Sequence, residues 1–161
     1  MKHRQNRLII IWITASLTIL CACGQNTSKQ DSKVDNSINT VNKLTIDTFS
    51  TFPPEIDGCS CYFSNDSKDF KKRVYIYMND YAQTSFLKIN RILTKFTQTD
   101  FKNIDDNTTE AKAVSDDYEL IIKVKHGEQS GDETRLQSGL IILTDKKGNK
   151  ITKTFYGECG C

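Results

Sequence analysis

Four cysteines are the residues of this chain best placed to do chemistry: Cys59 and Cys61 in a Cys-Ser-Cys step, and Cys159 and Cys161 in the terminal Cys-Gly-Cys. Thiols in this pattern support three kinds of chemistry. Paired across a fold they form disulfides, as converging thiolates they hold zinc or copper(I), and with one exposed sulfur of low pKa they make a redox centre. In a strand, residues two apart project to one face, so each step presents two sulfurs together. If the two segments lie side by side and antiparallel, Cys59 faces Cys161 and Cys61 faces Cys159. Opposed residues two apart share one type of antiparallel spacing, and the shorter type, about 4.5 Å at Cα, is near the lower limit for a disulfide. One of the two bridges is therefore expected to be displaced in register.

A bridge closing a loop of about 100 residues contributes up to ~4.7 kcal/mol in the chain-entropy account, and a second bridge nested beside it adds less of the same kind. That redundancy keeps a metal or redox role open for Cys59, Cys61, Cys159 and Cys161. Structural zinc sites, however, place two or more residues between paired cysteines. The acidic Glu158 beside Cys159 opposes a low thiol pKa. Which chemistry prevails depends on the compartment, and the N-terminus bears on that.

Lys2, Arg4 and Arg7 precede an apolar core from Leu8 to Leu20. A stable membrane span needs roughly 20 apolar residues, so this shorter core with its basic flank reads as an export signal over residues 1–22. An oxidising destination favours disulfides over metal-binding thiolates. Leu20-Cys21-Ala22-Cys23 resembles the lipobox of bacterial lipoproteins, with Cys21 standing where a small residue such as Ala or Ser is more usual. The resemblance covers residues 1–23 and implies that Cys23 is acylated with palmitate-type chains and becomes the first residue of the mature protein. More than one chain is needed for a stable anchor. In organisation the chain resembles the small envelope lipoproteins of bacteria.

Residues 24–42 (GQNTSKQDSKVDNSINTVN) are polar and cannot bury enough apolar surface to offset their ordering entropy. They read as a tether of roughly 25 Å, so residues 23–42 form the anchor and linker and residues 43–161 the folded domain. The tether lacks a run of acids after Cys23, which directs the expectation to an outer-membrane protein facing the periplasm. The full chain has 22 basic and 20 acidic residues. Without Lys2, Arg4 and Arg7 the balance is 19 to 20, net −1, and no basic footprint for nucleic acid remains.

From Lys43 onward, short runs alternate at period two between turn residues, the pattern of strands. Leu44, Ile46 and Thr48 share a face, and CSCYFS, RVYIYM, YELIIKVK, GLIILT and KITKTFY follow. The last two flank Asp145-Lys146-Lys147-Gly148-Asn149, the clearest hairpin signal. Phe86 to Phe96 fits a helical face but reads better as a hairpin around Asn90-Arg91. Residues 99–117 read mainly as a long acidic loop and residues 127–134 as a turn or exposed hairpin end. The fold class expected is all-β: an antiparallel sandwich or small barrel of seven to eight strands, with at most one short helix.

Other chemistry is sparse. His126 is the single histidine after the leader and reads as a turn residue at a strand end, leaving no nucleophile–base pair. No glycine-rich phosphate loop or cofactor motif occurs. Asp66 and Asp69 near Asn65, and Asp105 and Asp106 near Asn107, lack calcium-loop spacing and read as solvated loops. Tyr62, Tyr75, Tyr77 and Tyr81 are the densest aromatic group, and Tyr75 with Tyr77 on one strand face is the candidate surface for a glycan or protein ligand. The expectation is a non-enzymatic, lipid-anchored binding or interaction module with two structural disulfides and no cofactor. The alternative is a metal-handling or thiol-redox envelope protein built on the four cysteines.

Overall fold

The computed structural model describes residues 43–161; the leader, Cys23 and the tether lie outside the described residues. The inward phase of the longest strands explains the architecture. Leu120, Ile122 and Val124 alternate along one strand, facing Leu143, Ile141 and Gly139 on the next. Burying such a stripe on both sides of a hairpin curls the sheet around it. Strands form at β1 (Ile46–Asp47), β2 (Ser60–Ser64), β3 (Tyr77–Asn79), β4 (Thr84–Ile89) and β5 (Ile92–Asp105). They continue at β6 (Thr108–Val114), β7 (Tyr118–Gln129), β8 (Thr134–Asp145) and β9 (Lys150–Gly160), and the helix α1 (Ser67–Lys71) follows β2.

Each strand from β2 to β9 pairs antiparallel with its sequence neighbour, and β9 returns to pair with β2. The result is a closed eight-stranded up-and-down barrel with β1 as an added strand. Closure removes free sheet edges. The seam is the β2–β9 ladder, where Cys61 lies opposite Cys159 and Ser60 opposite Gly160. The cysteine steps are thus at the one junction that joins the two ends of the barrel.

Turn chemistry fixes the registers. Asn90 and Arg91, with φ of 46° and 72°, make the two-residue left-handed turn that matches hairpin twist. Asn90 Oδ1 accepts the Thr45 N–H, and Asp47 Oδ2 accepts the Arg91 N–H. Asp145 Oδ1 accepts the N–H groups of Lys147 and Asn149, closing the β8–β9 turn. The short helix begins at Asp66, whose carboxylate accepts the Lys68 and Asp69 N–H groups, a standard N-cap.

One end of the barrel is filled. Leu87, Ile89, Phe96, Leu120, Ile141, Leu143 and Phe155 are buried there, joined by Leu44 and Ile46 in the same apolar cluster. Strand β1 crosses this base: Ile46 pairs with Ile89 of β4, while the Ile46 carbonyl accepts Lys153 Nζ from β9 at 2.9 Å. Thr48, expected to share the buried face, is exposed.

Residues 99–117 differ from the expected loop. They form the upper part of β5, a two-residue turn and all of β6. Beyond Gln98 both faces of β5 meet water, so no apolar alternation marks the strand. Register shifts between Gln98 and Asp100, and between Asn103 and Asp105, disrupt what pattern remains. Cross-strand charge pairing holds this region instead. Glu110 lies between Lys102 and Lys123 of the flanking strands, at 2.9 and 3.2 Å. Hydrogen bonds to Lys102 first, then Lys123, hold its carboxyl below the ordinary value of 4.5. Stability from Glu110 is therefore complete above about pH 4.5 and lost as pH falls through its lower folded value. Glu110→Gln should flatten the acid limb of the stability–pH profile; a limb unchanged in denaturant titrations would contradict the assignment.

Candidate functional site

The other end of the barrel is open. A cavity of about 730 Å³ occupies it, lined from seven of the eight barrel strands and from the β3–β4 and β7–β8 connections. Its floor is Phe63 stacked between Phe155 and Tyr77, with ring centroids 4.1 and 5.2 Å away. Glycine makes the floor possible. A Cβ at Gly157 would run into the Tyr62 carbonyl and the Phe63 ring, so only glycine lets Phe63 lie flat across β9.

One wall is the disulfide pair. Cys61 joins Cys159 and Cys59 joins Cys161, both at Cα separations of 4.0 Å. Neither bridge is displaced in register; both take the short, non-hydrogen-bonded spacing. The reason is the neighbouring strand. The Cys61 N–H turns away from β9 and donates to Asn79 Oδ1 at 3.0 Å, which leaves the facing cysteines at close approach. Cys61 and Cys159 are buried against the cavity, whereas Cys161 is exposed at the rim. With all four sulfurs bonded, no thiolate remains to bind zinc or copper or to serve as a redox nucleophile.

Where inward alternation turns from apolar to polar, the core ends and the cup begins. On β7 the inward phase runs Leu120, Ile122, Val124, His126, and on β8 it runs Leu143, Ile141, Gly139, Gln137, Arg135. His126 is not a turn residue. It sits within β7, half-buried, with Nδ1 2.9 Å from Gln137 Oε1. Because an amide oxygen only accepts, Nδ1 carries the proton and Nε2 is left for another partner. Asn79 Nδ2 donates to Tyr77 Oη at 3.1 Å, while Asn79 Oδ1 also accepts the Tyr81 N–H. Burial pushes the Tyr77 phenol far above its ordinary value, so Tyr77 is a neutral hydroxyl. The register shift after Gln98 re-aims β5 so that Phe101 and Asn103 line the cavity with Ala111 and Thr109 opposite them. Phe101 is 56% exposed although it faces the cup, as a side chain at an open mouth would be.

Tyr75 and Tyr77 do not share a face. Ile76, fully buried, interrupts the pairing, and Tyr75 bridges to Phe49 outside β3. Tyr77 enters the barrel, whereas Tyr75 joins Phe52, Tyr62 and Phe70 in an edge-to-face cluster under α1. Tyr62 Oη in that cluster donates to Glu158 Oε1 at 2.8 Å, and Ser130 Oγ donates to Glu158 Oε2. Burial, then the hydrogen bond and charge of Glu158, push the Tyr62 phenol up to about 12. These contacts brace the seam from outside. Tyr75 and Tyr77 are both buried, so the pair forms no exposed ligand face.

The acidic pairs are engaged locally. Asp66 caps α1, Asp69 Oδ2 accepts from Asn65 Nδ2, and Asp105 Oδ1 accepts the Asn107 N–H. Asp106 is exposed in the β5–β6 turn. Among the described residues no cluster of three or more His, Cys, Asp or Glu side chains converges. No helix of the described residues is long and apolar enough to cross a membrane.

What the fold and the cavity define is a closed eight-stranded up-and-down β-barrel, plugged at one end and cupped at the other. Comparison of the chain with protein families, with curated proteins and with solved structures finds no match to any of them. The cup residues were poorly marked in the sequence. Asn79, Gln98, Phe101, Arg135 and Gln137 carry no motif, and only polar residues falling on an apolar strand phase, such as His126 after Val124, signal where the lumen opens.

Proposed function

We propose that this chain is a non-enzymatic, lipid-anchored binding protein of the cell envelope whose barrel cup takes a small molecule. The observation that carries the reading is the open cavity. Eight-stranded barrels are wide enough either to fill with side chains or to hold one small ligand, and here Phe63 stops the filling halfway. A volume of about 730 Å³, an aromatic floor and a few placed polar groups are the usual make-up of a small-molecule site. The lipobox-like Leu20-Cys21-Ala22-Cys23 supplies the anchor in this reading, with residues 24–42 as tether and the outer membrane, periplasmic side, as the location. Disulfide closure of the barrel suits an oxidising compartment.

The test of the cup uses N-phenyl-1-naphthylamine, a neutral apolar fluorophore, titrated into the extracted mature chain with the detergent-only signal subtracted. Saturable binding of one dye per chain is expected. Thr109→Trp, which fills the mouth from the rim of β6, should abolish it while leaving the unfolding midpoint near wild type. Unchanged binding in the folded Trp variant would remove the cup as the site. For the anchor, Cys23→Ala should abolish incorporation of a labelled palmitate.

A further inference from the structure

The inner wall of the barrel carries an unbalanced charge. Across the ladders, residues directly opposite one another point to the same side of the sheet. Arg135 lies opposite Cys159, whose sulfur faces the cup, so Arg135 projects from β8 toward the lumen and lines it. Lys153, two turns of the alternation below Gly157 on β9, points inward too, but the Ile46 carbonyl and Asn65 Oδ1 occupy its ammonium at 2.9 and 3.3 Å. Arg135 has no such partner: among the described residues it forms no ion pair with any carboxylate, whereas Glu110 and Asp100 are paired with lysines on the outer wall and Asp117 with Lys146 between the β6–β7 and β8–β9 turns. Asp145, on the inward phase of β8, lies at the opposite end of the strand and closes the β8–β9 turn. Glu133, in the β7–β8 connection at the lip, is the one acid that touches the cavity, and it lies beyond ion-pair distance of Arg135.

We infer, resting on the cup being a ligand site, that the ligand is a small organic anion: a carboxylate, sulfonate or phosphate head held by the Arg135 guanidinium, with an apolar or aromatic body lying over Phe63 between Tyr77 and Phe101. Three features of the cup converge on that class. The guanidinium presents a rigid fork of donors matched to planar oxyanions. His126, its Nδ1 committed to Gln137, keeps Nε2 for a second contact on the same wall. The facing side offers the Tyr77 and Phe101 rings among neutral amides (Asn79, Gln98, Asn103) and carries no charge, so the head has one place to sit and the body another. Arg135 stands exposed at the mouth of the cup, so a neutral ligand can enter but gives up the charge-assisted contact that its anionic isostere makes.

The inference is tested with two isosteres, 1-naphthoate and 1-naphthamide, each displacing N-phenyl-1-naphthylamine from the wild-type chain. A charge-assisted bond to arginine is worth roughly 1.5–3 kcal/mol, so naphthoate should displace the dye at a concentration at least about tenfold lower than naphthamide. Arg135→Gln should reduce that preference to less than about threefold, both isosteres being measured against the dye affinity of that same variant. Lys125→Gln, which removes a cation from the outer face of β7, should change neither. Equal displacement by the two isosteres, or a preference that survives Arg135→Gln, overturns the anion assignment while the bound dye keeps the cup reading standing. Failure of the dye to bind at all overturns the cup reading and the anion assignment together.

Discussion

Removing the two disulfides singly and together should give strongly non-additive losses of stability. The first bridge, whichever it is, closes a loop of 98 to 102 residues, worth about 4.7 kcal/mol in the chain-entropy relation. Once one bridge exists, the other closes only a small ring through residues 59–61 and 159–161, for which the same relation gives roughly 2 kcal/mol. Each paired variant, Cys59→Ala with Cys161→Ala or Cys61→Ala with Cys159→Ala, should therefore lose about 2 kcal/mol. The quadruple variant should lose roughly 7 kcal/mol, well beyond the sum of the two. A domain with 5–15 kcal/mol in total would then stand near the limit of folding. The inner pair should cost somewhat more than the outer, because Cys61 and Cys159 are buried in the apolar cluster while Cys161 is exposed. Urea titrations of the three variants decide the matter, and additive losses would show that the bridges act by local packing rather than by closing the seam.

The second large effect belongs to the floor of the cup. Phe63 is 1% exposed and stacks on both Phe155 and Tyr77. Phe63→Ala should destabilise by about 3–5 kcal/mol, the range for a buried aromatic truncated to alanine. It should also deepen the cup toward the packed base. Bulkier or longer apolar ligands that wild type excludes should then bind, so loss of stability comes with a gain in the size of ligand accepted. Phe63→Leu keeps most of the volume and should cost less while leaving the size limit nearly unchanged. If Phe63→Ala and Phe63→Leu accept the same ligands as wild type, Phe63 is core and does not set the depth of the site.

Both effects follow from one division of the molecule. The base is stabilised by continuous apolar contact and by β1 lying across it. The cup is held at its seam by covalent bonds and on its outer wall by cross-strand charge pairs such as Lys102–Glu110–Lys123. A hollow barrel end forfeits the contacts that a filled one would make, and the bridges stand at the strands that form its wall.

Several elements were legible in the chain alone, for local reasons. Period-two alternation in Leu120, Ile122, Val124 and in the GLIILT run is dictated by one-sided burial, so it names the strands that wall the packed base. Asn90-Arg91 and Asp145 to Asn149 are turns by their own backbone and side-chain chemistry. The facing of Cys59 with Cys161 and Cys61 with Cys159 followed once the two segments were placed antiparallel. Other features left no local trace. The upper β5 has water on both faces, and β6 buries only Ala113 and the charged Glu110, so no apolar periodicity distinguishes them from a loop. Tyr75 and Tyr77 are two residues apart, yet the break at Ile76 sends one outside and one inside.

The sequence by itself determined an all-β chain with paired cysteines at its two ends, because burial period, turn preference and cysteine spacing are short-range properties. Only the tertiary structure decided that the strands close into a barrel, that the cysteines fall on its closing seam, and that His126, Gln137 and Arg135 stand together around a cavity. Those depend on pairing between strands distant in sequence and on the curvature that brings β9 back to β2, and no stretch of the chain encodes them alone.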